Sequence, residues 1–202
     1  MRARALRAAD YRRMRWKNGG GWTTELGAAS AADGTFDWRV SIAEIESDGA
    51  FSTFPGCDRY IALLDGNGMQ LDFADAAPAQ HLERRLRFVK FSGDWNTHGR
   101  LLGGAVRDFN LIVRRGAVDA EILHRPLVGP MVFLCDAAIT WFIYLVGGQA
   151  LLKDQGVALE AGESLLLEPG GERENLVLSG GGEVVLIKLA RVSEHGAAAD
   201  QQ

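Results

Sequence analysis

Apolar and polar residues alternate with a period of two along most of this chain, the spacing of strands that bury one face. Residues 37–45 set Trp38, Val40 and Ile42 on one face and Arg39, Ser41 and Ala43 on the other. Residues 59–64 run into Asp65-Gly66-Asn67-Gly68, a strong hairpin signal, and residues 69–73 return from it. Further strands are expected at 86–91, 108–113 and 121–123. Residues 138–146 lead to Gly147-Gly148, which is expected to turn the chain back through 150–153, and 164–167 stop at Glu168-Pro169-Gly170-Gly171. Residues 176–178 and 184–189 complete the set, and helix is confined to a short turn around 96–102. The expectation is an all-β protein.

The strands repeat. Tyr60-Ile61-Ala62-Leu63-Leu64-Asp65-Gly66 parallels Phe142-Ile143-Tyr144-Leu145-Val146-Gly147-Gly148, and Phe91-Ser92-Gly93 parallels Glu168-Pro169-Gly170. Two β-barrels or jelly rolls in tandem explain such a duplication. The expected division is 1–116 for the first barrel, which holds the main polar motifs, and 117–192 for the second, with strands free to exchange between the halves; 193–202 is expected to be a disordered tail.

Composition agrees with this. Gly at 25 and Pro at 5 of 202 residues stand above and below their usual shares of about 7% and 5%, which favours many tight reversals. A chain of this length with 47% hydrophobic residues can bury a substantial core. It contains no apolar run long enough for a transmembrane helix; the most suggestive stretch, 101–113, is broken by Arg107, Asp108 and Asn110. Cys57 and Cys135 match no metal spacing, and the N-terminus lacks the apolar core of a secretory signal, so a cytoplasmic location is expected. Residues 1–17 carry seven basic side chains and one acid, against 15 basic and 25 acidic in the remainder. That acidic body repels phosphate, so the basic arm reads as a solvated first strand and no nucleic-acid partner is expected.

Candidate chemistry centres on Arg15-Trp16-Lys17-Asn18-Gly19-Gly20-Gly21-Trp22-Thr23-Thr24-Glu25, where three glycines sit among hydrogen-bonding, aromatic and charged side chains. Such a run suits a backbone that comes close to another group, either a ligand or a neighbouring strand. Alternation sets Arg39 with Ser41, and Asp108 with Asn110, opposite apolar faces, so that polar side chains can converge on one side. Arg39 and Arg59 together can hold carboxylates through their planar forks. Glu25, Asp108 and Asn110 can then orient an amide or imidazole nitrogen, or pair with those arginines instead. The candidate ligand-binding set is Asn18, Gly19, Gly20, Thr24, Glu25, Arg39, Ser41, Arg59, Asp108 and Asn110. No nucleophile–base arrangement, P-loop or dinucleotide fingerprint is present, although Glu25 in a closed barrel has the makings of a general base. Cys57 reads as a small buried hydrophobe. The histidines, at 81, 98, 124 and 195, show no paired ligand spacing beyond His81-Leu82-Glu83, so no metal and no cofactor are expected.

The stretch Gly162 to Gly171 resembles the second motif of the cupin superfamily, a glycine, a strand and then Pro-x-Gly, but Glu172, Arg173, Glu174 and Asn175 follow where cupins usually place a metal-binding histidine. Trp16-Lys17-Asn18-Gly19-Gly20-Gly21 with Thr24-Glu25, Trp38-Arg39-Val40-Ser41-Ile42-Ala43, Phe51-Ser52-x-Phe54-Pro55-Gly56-x-Asp58-Arg59, Phe91-Ser92-Gly93-Asp94 and Arg107-Asp108-Phe109-Asn110-Leu111 occur in the order of the HutD/Ves family, which the chain resembles over residues 11–116. Arg13 and Arg15 depart from the more apolar residues expected before the first block. The resemblance implies a bicupin, two cupin-like barrels without the usual metal ligands. It also implies a link to bacterial histidine-utilisation gene clusters, where the family is thought to bind a small metabolite and moderate the pathway. The expected partner is therefore a small anionic metabolite such as urocanate or formylglutamate. The alternatives are a metal-free enzyme acting on such a metabolite, and a partner-binding module whose exposed sheet forms a homodimer.

Overall fold

The computed structural model describes residues 2–31, 33–170 and 174–192; the expected tail at 193–202 and the last glycine of the 168–171 turn signal lie outside them. The strands, in chain order, are β1 (Arg2–Leu6), β2 (Arg12–Arg15), β3 (Gly21–Ser30), β4 (Phe36–Ile45), β5 (Gly49–Ala50), β6 (Cys57–Asp65), β7 (Met69–Asp72) and β8 (Gln80–Leu82), followed by β9 (Val89–Ser92), β10 (His98–Leu101), β11 (Val106–Arg114), β12 (Val118–Cys135), β13 (Ile139–Leu152), β14 (Val157–Glu160), β15 (Ser164–Glu168) and β16 (Glu174–Arg191). They form three antiparallel sheets, ordered β2-β3-β4-β11-β6-β9, β5-β10-β7-β8 and β1-β15-β13-β16-β12, with β14 paired to β13. The protein is all-β, and among the described residues it has no α-helix.

The first sheet lies between the other two because its central strands are apolar on both faces. Val40, Ile42, Phe109, Leu111 and Val113 point one way and pack with Phe142, Ile187 and Leu189 of the third sheet. Ala43, Ile45, Ile61 and Leu63 point the other way, against Met69, Leu71 and Leu82 of the second sheet and Phe73 beyond it. Phe109 and Leu111 are fully buried, and each such side chain contributes about 2 kcal/mol of transfer free energy. The third sheet also has two apolar faces: Ile143, Leu145, Leu165 and Leu167 turn away from the first sheet to pack with Leu176 and Leu178.

No ladder among the described residues closes on itself, so the tandem closed barrels expected from the sequence are not drawn by the strand pairing. The internal repeat nevertheless has a topological counterpart. The neighbour order β4-β11-β6-β9 recurs as β12-β16-β13-β15, and the duplicated segments fall on β6 and β13 and at the ends of β9 and β15. β1 pairs with β15 from the far end of the chain, Arg2 opposite Glu168.

Four local expectations are corrected. Residues 96–102 do not form a helical turn: His98–Leu101 is strand β10, held between β5 and β7. The short strand at 121–123 is part of the 18-residue β12, which passes through Pro126 and Pro130 because it is the edge strand of its sheet, where a missing N–H leaves no ladder bond unmade. Gly147-Gly148 is not a hairpin; β13 runs straight through it, with a register shift between Leu145 and Gly147. Residues 176–178 and 184–189 are likewise one strand, β16, joined through Gly180-Gly181-Gly182. The two glycine clusters face each other. Gly148, at φ +91°, leaves no room for a Cβ against the Gly181 carbonyl oxygen, whereas a Cβ on Gly147 meets nothing within 4 Å.

This crossing gives a paired prediction. Gly148→Ala is expected to lower the unfolding free energy by about 3 kcal/mol, through both backbone strain and the clash, while Gly147→Ala changes it by less than about 1 kcal/mol. Urea denaturation of the two variants side by side checks this, and equal losses would contradict the crossing geometry.

Candidate functional site

The polar candidates come together because three adjacent strands turn them to the same face. In the β4–β11 ladder Arg39 lies opposite Ile112, Ser41 opposite Asn110 and Ala43 opposite Asp108. In the β11–β6 ladder Ile112 lies opposite Arg59. Arg39, Ser41, Asp108, Asn110 and Arg59 therefore share the face that, lower down, packs on the second sheet. The β2–β3 hairpin and residues 50–54 rise over this face and enclose a cavity of about 530 Å³, lined by all five together with Asn18, Trp16, Phe51 and Phe54.

Arg59 is 4% exposed. Its guanidinium carbon lies 5.2, 5.4 and 5.1 Å from the ring centroids of Phe51, Phe54 and Phe91, a cage that favours a cation. It donates only long hydrogen bonds, Nη1 to the Ser52 carbonyl at 3.3 Å and Nη2 to Asn110 Oδ1 at 3.4 Å, and Nε has no partner. Burial pulls its pKa down to about 10, with Arg39 adding to the fall and Asp108 opposing it, so the group remains charged at neutral pH. Asp108 is 1% exposed, and neither carboxylate oxygen has a hydrogen-bond partner. Burial drives its pKa up from 3.8 to about 7, against the opposing pull of Arg59. The cavity thus holds a buried cation and a buried acid that do not neutralise each other by contact.

Arg39 is more conventional. Its Nε donates to Glu25 Oε2 at 2.7 Å, both side chains being partly buried. Of the three roles open to Glu25 in the sequence, the structure shows the pairing with an arginine. Glu25 does not line this cavity but another, of about 340 Å³, beside Arg4, Asp10 and Arg12. That cavity contains none of the buried unpartnered polar atoms found among the described residues, which is why the β4–β11–β6 face is taken as the site.

The glycine run is a turn. Asn18 Oδ1 accepts from the Gly20 N–H at 3.0 Å, Trp16 and Gly21 are bridged by a backbone bond of 3.0 Å, and Gly19 sits at φ +74°. Gly21 lies so close to the Glu44 carbonyl that a Cβ would collide with it. Gly19 and Gly20 do not line the cavity, and neither does Thr24. Thr24 is opposite Ile42 and shares its face, while Thr23 is opposite Ala43 and turns to the cavity. The Thr23 hydroxyl accepts from Trp16 Nε1 at 2.8 Å, fixing an indole that meets Phe51 edge-on at 6.4 Å. The aromatic wall was missing from the candidate set, although Phe51 and Phe54 stand in one of the blocks that carry the family resemblance.

Among the described residues no group of three His, Cys, Asp or Glu side chains is placed to hold a metal. His81 and Glu83 meet at 3.5 Å on the surface, both exposed. Cys57 is buried, and burial raises its thiol pKa, which leaves it a poor nucleophile. The cavity brings together a cationic group and a titratable acid.

The all-β fold is cupin-like, and distant solved structures share it: the bacterial pirin YhhW from Escherichia coli matches with a TM-score of 0.71 at 14% identity over 94% of this chain and 99% of that one. The HutD family model matches residues 8–186, and the chain belongs to the HutD family. HutD from Pseudomonas fluorescens SBW25 superposes with a TM-score of 0.82 at 32% identity, covering 95% of this chain and all of that one. Protein Ves from Escherichia fergusonii is 32% identical over 168 residues, 78% of this chain and 84% of that protein. A 21.2 kDa protein in the hutC 3′ region of Pseudomonas putida is 51% identical over 109 residues, and this match spans 53% of the chain and about half, 56%, of that relative. The family is thereby linked to a histidine-utilisation locus.

The buried acid makes a stability prediction. Because the folded-state pKa of Asp108 is raised, its contribution to stability is complete below pH 4 and is lost as pH rises towards and through about 7. A displacement from 3.8 to about 7 corresponds to about 4 kcal/mol at its limit. Asp108→Asn, which stays neutral throughout, is expected to unfold at a higher temperature than the wild type at pH 8, by the equivalent of about 2 kcal/mol, with the gap closing as pH falls to 4. Thermal melts of both proteins across that range check it; a gap independent of pH would contradict it.

Proposed function

We propose that this protein binds a small carboxylate-bearing intermediate of histidine breakdown, of the urocanate or formylglutamate type, in the cavity on β4, β11 and β6, and that it moderates histidine utilisation in the cytoplasm by doing so. The observation that carries the reading is Arg59, a buried guanidinium with one unpartnered nitrogen and two long hydrogen bonds, caged by three phenylalanines and open to a cavity. A desolvated charge without an ion-pair partner is unfavourable until an anion joins it, and a carboxylate matches the guanidinium fork. Arg39, whose Nε alone is engaged by Glu25, supplies a second cationic group at the same cavity. The membership of the HutD family and the hutC-region relative support the choice of histidine-derived carboxylates over others. The recurring neighbour order supports reading the two halves as cupin-like units, the first of which holds the ligand.

In a thermal-shift series with urocanate, formylglutamate and formate, at least one of the larger acids is expected to raise the melting temperature, equally with and without chelator. Saturation at a hundredfold excess over the dissociation constant corresponds to about 2.7 kcal/mol. Arg59→Met, which keeps volume and removes charge, is expected to melt cooperatively and to lose the shift, and Arg39→Ala to weaken it. Undiminished shifts in both variants would reject the site, and consumption of the acid in the same samples would turn the reading to an enzyme.

A further inference from the structure

Among the described residues Asp108 is the only acid in the lining of this cavity, and its isolation is the least expected feature of the site. Both of its oxygens are buried without a donor, although a guanidinium with an unpartnered nitrogen borders the same space. Leaving an acceptor pair in this state costs the desolvation of each atom. An ion pair with Arg59 would remove the cost, but the ladders prevent it. Arg59 lies in the lateral row of Ile112, whereas Asp108 lies four residues back along β11, with Asn110 between them taking the arginine's Nη2. Same-face neighbours on a strand are about 7 Å apart, so the acid stands about that far beyond the point where Arg59 meets Asn110. The cavity therefore has two poles, an unsatisfied cationic donor and an unsatisfied acceptor, separated by about the length of a small metabolite.

We infer that the ligand is two-ended: beside the carboxylate taken by Arg59 it carries an N–H donor, of an amide, amidine or imidazole, that satisfies the carboxylate of Asp108. This rests on the carboxylate reading given above and narrows it to acids that also donate through nitrogen. Asn110 and Ser41, opposite one another between the poles, offer donors and acceptors to the middle of such a molecule. The other charged residues that line the cavity are Arg59 from β6, Arg39 from β4, already engaged by Glu25 of β3, and Arg15 and Lys17 from β2 and the turn after it. All that are free to act on Asp108 are cationic, yet burial still holds much of the acid protonated near neutral pH. An incoming N–H favours the ionised form, so the complex contains Asp108 carboxylate hydrogen-bonded to the ligand, and the proton it carried is released to solvent.

The test is titration calorimetry near pH 6, in two buffers of different ionisation enthalpy, with two matched pairs of acids. Urocanate is compared with furylacrylate, which keeps the shape and the carboxylate but has no N–H. Formylglutamate is compared with glutarate on the same principle. The wild type is expected to bind the N–H member of at least one pair tenfold or more tightly, as suits a buried acceptor left unpaired by the other member, and to release a fraction of a proton on binding it. Asp108→Asn is expected to abolish the proton release, and Asp108→Leu, which has no acceptor, to abolish the preference as well, both still binding the carboxylates. Equal affinities within both pairs for the wild type, or a preference that survives in Asp108→Leu, would overturn the assignment of Asp108 and leave the carboxylate reading standing. Binding of none of the four acids would overturn both.

Discussion

The first sheet has to be covered on both sides, and the rest of the molecule follows from that. One face of β4, β11 and β6 is hydrocarbon along its middle and is satisfied by the third sheet. The other face is hydrocarbon only in part: Ala43, Ile61 and Leu63 continue into the core with the second sheet, and beyond them Arg39, Ser41, Asp108, Asn110 and Arg59 replace the apolar side chains. Where the second sheet stops, a lid of aromatic residues begins, and the cavity is the space between them. The site is thus a region where the ordinary alternation persists but the inward set turns from apolar to polar.

That arrangement explains how much could be seen in the sequence. A period of two is a local property, so the face shared by Arg39 and Ser41, and that shared by Asp108 and Asn110, could be assigned from single strands. Their placement on neighbouring strands was then only a matter of pairing, and the ladder joins them in register. Thr24 shows the limit of the same logic. Either of two adjacent threonines fits the pattern of β3, and a register shift between Glu25 and Gly27 obscures which one shares a face with the polar set. Phe51 and Phe54 were overlooked as site residues because aromatic side chains in a connecting segment have no periodicity to orient them.

Glycine misled in the opposite direction. Gly147-Gly148 has the local signature of a hairpin, and whether the chain turns or continues there depends on Gly180-Gly181-Gly182, more than 30 residues away. The near approach of two long strands at that point is a tertiary fact without a local trace. The triple glycine at 19–21 is legible as a place of close approach, and at Gly21 the group approached is the backbone of β4.

The pairing of β1 with β15 sets a timetable for the molecule. β1 leaves the ribosome before every other strand of these sheets, and its partner is made about 160 residues later, Arg2 waiting for Glu168. At about 5–20 residues per second that is an interval of roughly ten to thirty seconds, during which β1 has no partner and the apolar face of the first sheet lacks its cover. A protein built this way can back its pocket only late: the walls are synthesised early, but the sheet that covers them from behind is complete only with β16.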